Sequence, residues 1–268
     1  MQKRILIVSQ EVSPYTTNGL LAESVLELAK KVKKNKDTEV RLFMPKYGCV
    51  NERRHQLHEV IRLSGVNIVV NDIDQPLIVK VASIPQARLQ VYFIDNEEYF
   101  RRKVTLFDSN EKLVSDNDER TIFFCRGVLE TLQMLGWSPD IIHCHGWFTS
   151  LLPMYLKSIY KQNPVFEHTK IISSIYKSGF SGTLDKMIFD KIKFDGIEED
   201  LITNLKKPNF QSLNMQAVKF SDGVIFEDES SKSKISEFVS ENGIASLSPE
   251  VDTDYYNFYQ NFFSEALV

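Results

Sequence analysis

The sequence is short of cysteine, of long apolar runs and of excess positive charge, and each absence excludes a class of protein. Its three cysteines, Cys49, Cys125 and Cys144, are scattered among 268 residues. Such a small, odd number argues against a disulfide framework and favours reduced thiols. No stretch approaches the roughly 18 apolar residues of a membrane span. The net charge of −4 argues against a nucleic-acid binder that uses a general basic surface.

The N-terminus lacks the features of a secretory signal peptide. Residues 1–8 run directly into a strand-like apolar segment, without an apolar core followed by a cleavage site of small residues. We therefore expect a cytoplasmic protein that has neither a membrane nor a nucleic acid as its partner.

The first 44 residues contain the pattern of a doubly wound α/β domain. The apolar run at 5–8 predicts a central parallel strand, and the apolar residues within 21–32 recur at helical spacing. Residues 40–44 predict the next strand. This β-loop-α-β unit is the building block of a doubly wound, mostly parallel sheet.

The rest of the chain predicts one Rossmann-like domain with a small β insertion. Candidate strands at 66–70, 77–82 and 89–94 form this antiparallel insertion or an edge of the main sheet. Further strands are predicted at 140–145, 170–176 and 223–226, and helices at 118–135, 149–160, 215–220 and 231–239, with a charged, helical region at 185–212. We assign residues 1–250 to the domain and residues 251–268 to a linker with an aromatic C-terminal helix.

Six short motifs occur in order along nearly the whole chain. They are Val8-Ser9-Gln10-Glu11-Val12-Ser13-Pro14 with Gly19-Leu20-Leu21-Ala22-Glu23, Tyr92-Phe93-Ile94-Asp95-Asn96, Asp116-Asn117-Asp118-Glu119-Arg120, Pro139-Asp140-Ile141-Ile142-His143-Cys144-His145-Gly146-Trp147, Ser221-Asp222-Gly223-Val224 and Val251-Asp252-Thr253-Asp254-Tyr255-Tyr256-Asn257. As a set they resemble the N-terminal half of bacterial glycogen synthases and plant starch synthases, which are GT-B glycosyltransferases of family 5.

The resemblance implies a fold, a reaction and a substrate. Two Rossmann-like domains face each other across a cleft in the GT-B fold, and this chain is similar to the first of them. Because the similarity ends just after the interdomain linker, we expect the first domain without the second. The family transfers glucose from ADP-glucose to an α-1,4-glucan, so ADP-glucose is expected as a substrate and no cofactor is expected.

All three functional positions implied by the resemblance are changed in this sequence. The family's lysine in the first loop falls at Thr17, its aspartate after the His-x-His strand at Gly146, and its histidine in a later loop at Tyr176. A second glycine of the first loop has become Leu20, whose Cβ hinders close approach of the backbone to a phosphate or sugar. We assign no catalytic residue and expect impaired catalysis, since losing one charge-stabilising group typically costs on the order of 100-fold in rate.

Five residues remain candidates for substrate binding. They are Glu11, Gly19, His145, Trp147 and Gly179. His145 ends a strand, where doubly wound sheets bind their ligands, although a buried histidine bonded to the backbone explains it equally well. His143 and His145 share one strand face, but no third or fourth ligand is apparent, and a structural zinc ion needs four. The sequence therefore predicts no metal site.

Three functions and several partners stay open. The chain is a catalytically impaired relative, or pseudoenzyme; a non-catalytic binding, regulatory or dimerisation module; or a transferase that works with a separately encoded C-terminal half. The corresponding partners are a sugar nucleotide or a glucan, a second copy of the chain, or a separate C-terminal domain. The aromatic residues within 255–263 predict an amphipathic helix, which either docks on its own domain or offers a surface to a partner or glucan.

Overall fold

The computed structural model describes residues 2–16, 19–177, 179–228, 234–248, 250 and 253–263. Its strands are β1 (Lys3–Ser9), β2 (Thr38–Pro45), β3 (His58–Glu59), β4 (Asn67–Val70), β5 (Ile73–Pro76), β6 (Ile78–Ile84), β7 (Leu89–Asp95), β8 (Ile141–His145), β9 (Lys170–Ile175), β10 (Gly223–Phe226) and β11 (Ala245–Leu247). Its α-helices are α1 (Leu20–Lys33), α2 (Glu52–His55), α3 (Glu97–Phe100), α4 (Asn117–Leu135), α5 (Leu152–Lys157), α6 (Ile188–Phe194), α7 (Phe210–Lys219), α8 (Lys234–Glu241) and α9 (Tyr255–Gln260).

Nine of the strands form one sheet, in the order β11-β10-β9-β8-β1-β2-β7-β6-β3. The central strand β1 pairs in parallel with β2 and β8, and the parallel order continues through β9, β10 and β11 on one side and β7 on the other. Strands β6 and β3 are antiparallel at one edge. This confirms the predicted doubly wound, mostly parallel α/β fold.

The predicted β insertion divides into two parts. Strands β4 and β5 form a separate antiparallel hairpin, whereas β6 and β7 belong to the main sheet. The segment predicted at 89–94 is not antiparallel to the main sheet, because β7 pairs in parallel with β2. Its inward residues are fully buried, as expected of a strand that helices cover on both faces.

The hydrophobic core lies where the helices pack closely against the sheet. The apolar run of β1 is fully buried, and α1 buries Val25, Ala29 and Val32 against the sheet. Helix α4 contains Gly127, where an added Cβ would lie 2.8 Å from Ile94 Cγ2 of β7. The glycine therefore allows the helix to approach the sheet more closely than a larger residue would.

The helices after β8 are shorter and more broken than the periodicity predicts. The predicted helix 149–160 is a 3₁₀ turn at Trp147–Thr149 followed by α5. The predicted helical region 185–212 holds α6 and two 3₁₀ turns before α7 begins. Asn209 caps α7 by accepting a hydrogen bond from the Ser212 amide, so the helix begins before the predicted 215. Residues 231–233 of the last predicted helix lie outside the described residues, and α8 begins after them.

The aromatic C-terminal segment docks on its own domain. Phe258 and Tyr259 of α9 are buried, and Phe262 lies so close to β10 that a Cβ at Gly223 would come within 2.5 Å of its ring. Residues 251, 252 and 264–268 of the predicted linker and tail lie outside the described residues. Within the described part of the chain, no helix combines the length and apolar character needed to cross a membrane.

Candidate functional site

A cavity of about 220 Å³ lies where the central parallel strands end. Carboxyl ends of parallel strands meet at one edge of a sheet, so the residues that follow β8, β9 and β10 come together there. The lining residues are His145, Tyr176 and Glu227 from the strand ends, Ser24, Glu27, Leu28 and Lys31 from α1, and Glu250, Thr253 and Tyr255 from the C-terminal segment.

The lining of this cavity is acidic. It includes the carboxylates of Glu27, Glu227 and Glu250 and the ammonium group of Lys31. Burial raises the pKa of Glu227, against hydrogen bonds donated by Ser174 and Tyr255 that favour its charged form. Because Glu27 also pairs with Lys30 Nζ at 2.7 Å, the excess of negative charge at the cavity is small, and the lining offers no excess of positive charge to a diphosphate.

Two histidines lie side by side on β8. The ring centroids of His143 and His145 are 3.9 Å apart, as strand alternation predicts. His143 is fully buried, with Nδ1 2.7 Å from the Tyr259 hydroxyl and Nε2 2.8 Å from Ser174 Oγ. Burial lowers its pKa well below the usual range, and the neighbouring His145 lowers it further. The ring is therefore neutral at physiological pH.

His145 combines features of both sequence-based interpretations. It is 1% exposed, and it also lines the cavity. Its Nδ1 lies 2.8 Å from the Tyr176 hydroxyl, whereas its buried Nε2 has no hydrogen-bond partner among the described residues. Burial lowers the pKa of His145 to about 3, so this imidazole is also neutral.

Glu227 is a site residue that the sequence did not reveal. Its carboxylate accepts hydrogen bonds from Ser174 Oγ at 2.5 Å and from the Tyr255 hydroxyl at 2.7 Å. One potential ligand atom from each of His143, His145 and Glu227 lies within 4.8 Å of the others. A third potential metal ligand, which spacing along the chain did not indicate, therefore lies close to the two histidines. In the sequence, its position directly after a predicted parallel strand was an indication that Glu227 lies at the site.

A side chain at position 146 would have to displace the side chain of Gln10. The φ of +84° at Gly146 is a left-handed conformation that L-residues rarely adopt. An added Cβ would lie 2.4 Å from Gln10 Oε1. The Gln10 carboxamide is held there because its Oε1 accepts a hydrogen bond from the Phe148 amide. Gln10 therefore occupies the space that a carboxylate at position 146 would need.

The two other changed positions are Thr17 and Tyr176. Thr17 lies outside the described residues. The Tyr176 hydroxyl contacts His145, and burial, followed by the charge of Glu227, raises the pKa of this tyrosine well above its usual value. Tyr176 therefore keeps its proton at neutral pH and does not replace a titrating histidine.

Glu11 and Gly19 lie next to each other at the start of α1. Gly19 has an extended backbone that any residue can adopt, and its Cβ position is 3.4 Å from Glu11 Oε2. Burial raises the pKa of Glu11. The side chain of the adjacent Leu20 is 85% exposed, so an apolar group faces solvent where this loop meets α1.

The remaining two candidates lie in packed surroundings. Trp147 is 2% exposed, and its ring centroid is 4.7 Å from that of Phe180. An added Cβ at Gly179 would come within 2.3 Å of the Phe210 ring. Within the described part of the chain, neither residue lines the 220 Å³ cavity. The structure thus places His145 and Tyr176 together at the cavity, while Trp147 and Gly179 contact the aromatic rings beside it.

Comparisons with known proteins agree on one relationship. A family model described as the starch synthase catalytic domain matches residues 4–247. The glycogen synthase of Chlorobium limicola is 40% identical over 190 residues, which cover 70% of this chain and 39% of that protein. The glycogen synthase of Chlorobium phaeobacteroides is 39% identical over 209 residues, covering 77% of this chain and 41% of that protein. The chain thus spans about two-fifths of the length of these relatives.

A solved structure has the same fold. The catalytic domain of starch synthase IV from Arabidopsis thaliana, bound to ADP and acarbose, superimposes with a TM-score of 0.75 at 20% sequence identity. The match covers 96% of this chain and 53% of that one. The chain therefore has the architecture of one half of a GT-B glycosyltransferase.

Proposed function

The chain belongs to the starch synthase catalytic domain family, and from this premise we propose that it is a glycosyltransferase-type domain that does not itself transfer glucose. The family reaction, glucosyl transfer from ADP-glucose to an α-1,4-glucan, is the activity from which this domain departs. The starch synthase IV structure contains ADP and acarbose, which supports a sugar nucleotide as the donor and a glucan as the acceptor in tests of this proposal.

The observation that carries the proposal is the geometry at Gly146. The resemblance implies a carboxylate at this position, whereas here the residue is a glycine with a positive φ, and the Gln10 carboxamide fills the space that a side chain would take. A neighbouring residue can compensate for a lost side chain only if its functional group reaches the same space. The group that fills this space is a neutral amide, which neither carries a charge nor titrates at neutral pH.

Two further features support the same conclusion. Tyr176 stands where the resemblance implies a histidine, and its raised pKa keeps it protonated. The adjoining cavity is lined by three carboxylates and one ammonium group, and Lys30 pairs with the carboxylate of Glu27, so the lining has no excess of positive charge to hold an anionic diphosphate. Stabilising a leaving diphosphate needs the opposite charge, so these features lower transfer independently of Gly146.

The experiment is an incorporation assay with labelled ADP-glucose and a glycogen primer. The chain is assayed alone and mixed with the C-terminal half of the Chlorobium limicola glycogen synthase, with the intact relative as the positive control. We expect no incorporation above the blank in either sample. Incorporation by the chain alone would contradict the proposal, and incorporation only in the mixture would favour a transferase completed by a separate second half.

The binding partners are a further part of the proposal. A sugar nucleotide, a glucan, a second copy of this chain and a separate C-terminal domain remain the partner classes expected of this fold. Calorimetric titration with ADP-glucose, ADP and maltooligosaccharides distinguishes the small ligands, and a solution mass distinguishes a dimer from a monomer. A monomer that binds none of these small ligands would weaken the binding-module alternative.

A further inference from the structure

We propose that His143, His145 and Glu227 form a binding site for one divalent transition-metal ion of the zinc class, with a coordination position open to the 220 Å³ cavity. The proposal does not depend on whether the domain transfers glucose, because metal binding is measured directly. The sequence alone predicts no such site, because the third group comes from a different strand.

The donor set and its arrangement suit a zinc ion. Two imidazole nitrogens and one carboxylate are a set that binds zinc with a fourth position left for water. One potential ligand atom from each residue lies within 4.8 Å of the others. Donors about 2 Å from a common tetrahedral ion are about 3.3 Å apart, so side-chain rotations must bring the most distant pair closer by up to about 1.5 Å.

The contacts behind the two histidines orient them as metal ligands. In each ring Nδ1 faces a tyrosine hydroxyl, that of Tyr259 for His143 and that of Tyr176 for His145. Metal-binding histidines commonly donate the N–H of the other ring nitrogen to a fixed partner of this kind. His145 Nε2 then carries a free lone pair. For His143 the change of tautomer is part of the proposal. Its Nε2–H now donates to Ser174 Oγ, because the only hydroxyl hydrogen of Ser174 goes to Glu227. An ion would require Nδ1–H of His143 to donate to Tyr259 instead.

Ser174 occupies the position between two of the proposed ligands. Its Oγ lies 2.8 Å from His143 Nε2 and donates a hydrogen bond to Glu227 Oε1. One hydroxyl group therefore bridges the imidazole and the carboxylate, as an ion would. Rotation of the serine side chain releases the imidazole nitrogen and the carboxylate oxygen, which can then both face the ion.

His145 provides an independent observation that points to a ligand. Its Nε2 is buried and has no hydrogen-bond partner among the described residues, although buried polar atoms nearly always have one. The ring borders the cavity, whose lining also includes Glu27 and Glu250. A cation placed there satisfies the unpaired nitrogen and meets a lining of favourable charge.

The test is a metal-binding measurement on the chain after removal of metal with EDTA. Equilibrium dialysis against Zn²⁺ followed by metal analysis is expected to give one bound equivalent per chain. Glu227→Gln and His145→Gln are expected to weaken binding more than Tyr176→Phe does, and removing an outer contact such as Tyr176 typically costs about 10–100-fold in affinity.

The matched controls are two exposed groups that also bind metals. His168→Gln and Cys49→Ser remove an exposed imidazole and an exposed thiol, and both variants are expected to bind Zn²⁺ as the unaltered chain does. If either control abolishes the bound equivalent, the ion belongs to the surface and the proposal is wrong.

A second measurement does not depend on whether the variants fold. In ¹⁵N NMR spectra of the unaltered chain, Zn²⁺ is expected to shift the Nε2 resonances of two of the five imidazoles, and one equivalent is expected to raise the melting temperature. The absence of a bound equivalent, or binding by Glu227→Gln and His145→Gln that equals that of the unaltered chain, would overturn the proposal.

Discussion

Gly146 directly follows β8, next to His145, which lines the cavity. A sequence comparison registers only that the carboxylate implied by the resemblance is absent there. The structure adds that the backbone has a φ of +84° and that the Gln10 side chain fills the space beside it, so a replacement requires Gln10 to move. Restoring the aspartate alone would therefore strain the loop.

We predict that Gly146→Ala destabilises the domain more than Gly65→Ala does. Both glycines have a positive φ, +84° and +95°, so both substitutions add backbone strain. Only at Gly146 does the new Cβ meet Gln10, whereas at Gly65 nothing among the described residues lies within 4 Å. The overpacking is expected to cost an additional ~1–3 kcal/mol in the free energy of unfolding, measured by urea denaturation.

A second substitution tests the cause of this difference. Gln10→Ala in the Gly146→Ala background is expected to recover most of the additional cost, because it removes the atoms that the Cβ meets. Equal destabilisation by Gly146→Ala and Gly65→Ala would show that Gln10 does not restrict the loop.

Helix α9 contributes a single hydroxyl to the buried histidines. Its aromatic spacing predicts an amphipathic helix, and the structure confirms that it docks on the domain. We predict that Tyr259→Phe costs about 1–3 kcal/mol, because it leaves His143 Nδ1 buried without its partner. Tyr256→Phe, on the same helix and half-buried, is expected to change stability by no more than about 0.5 kcal/mol.

The measurement is urea denaturation in the presence of EDTA, so that a bound metal does not contribute. The two variants differ in which tyrosine loses its hydroxyl, and both keep the aromatic ring. If Tyr259→Phe is as stable as Tyr256→Phe, the contact with His143 does not hold α9 on the sheet.

A cluster of charges joins α2 to the edge of the sheet. Glu52 of α2 lies 2.5 Å from Lys46, which follows β2, and 2.8 Å from Lys80 of β6. Burial alone would raise the pKa of Glu52, but the hydrogen bonds and charges of the two lysines lower it overall. A carboxyl group whose folded pKa is lowered stabilises the fold above its unfolded pKa and loses that contribution as pH falls.

We therefore predict that the stabilisation contributed by Glu52 is lost as pH drops below its unfolded pKa of about 4.5, and that Glu52→Gln removes this part of the pH dependence. The measurement is the urea midpoint as a function of pH. In the Glu52→Gln background, replacing Lys46 with a neutral residue is expected to have little further effect on the slope of the urea midpoint against pH. The reason is that the carboxylate that pairs with Lys46 is already absent. An unchanged pH profile in Glu52→Gln would contradict the role of this cluster.

The elements were predictable from sequence to different degrees. Strands β1, β8 and β10 are short apolar runs, and α4 ends at a glycine, so local patterns suffice for them. The grouping of His143, His145 and Glu227 was not predictable, because it depends on β8, β9 and β10 being neighbours in the sheet. Spacing along the chain carries no information about that order.

The site was predictable only as far as its chemistry is local. The missing carboxylate and the tyrosine at position 176 can be read from the motifs. The blocking of position 146 by Gln10 and the contact of Tyr259 with His143 join residues far apart in the chain. Long-range contacts of this kind follow from packing, which a single sequence does not specify.

In the molecule as a whole, the fold matches that of the family, whereas the residues at the functional positions implied by the resemblance differ. The TM-score of 0.75 to a starch synthase domain and the match over residues 4–247 establish the scaffold. Residue changes at three implied functional positions, together with the charges that line the cavity, support our proposal that this domain does not itself carry out the family reaction. The chain spans about two-fifths of its relatives' length, so the decisive test supplies the other half from a relative.

The most direct measurement uses a chimera in which this domain replaces the corresponding first half of the Chlorobium limicola glycogen synthase. A matched chimera carries Gln10→Ala, Thr17→Lys, Gly146→Asp and Tyr176→His, and its recovery of glucosyl transfer controls for the fit between the two halves. The account predicts a kcat for the first chimera at least ~100-fold below that of the intact relative, with partial recovery in the second. A first chimera that transfers glucose as fast as the intact relative would contradict it.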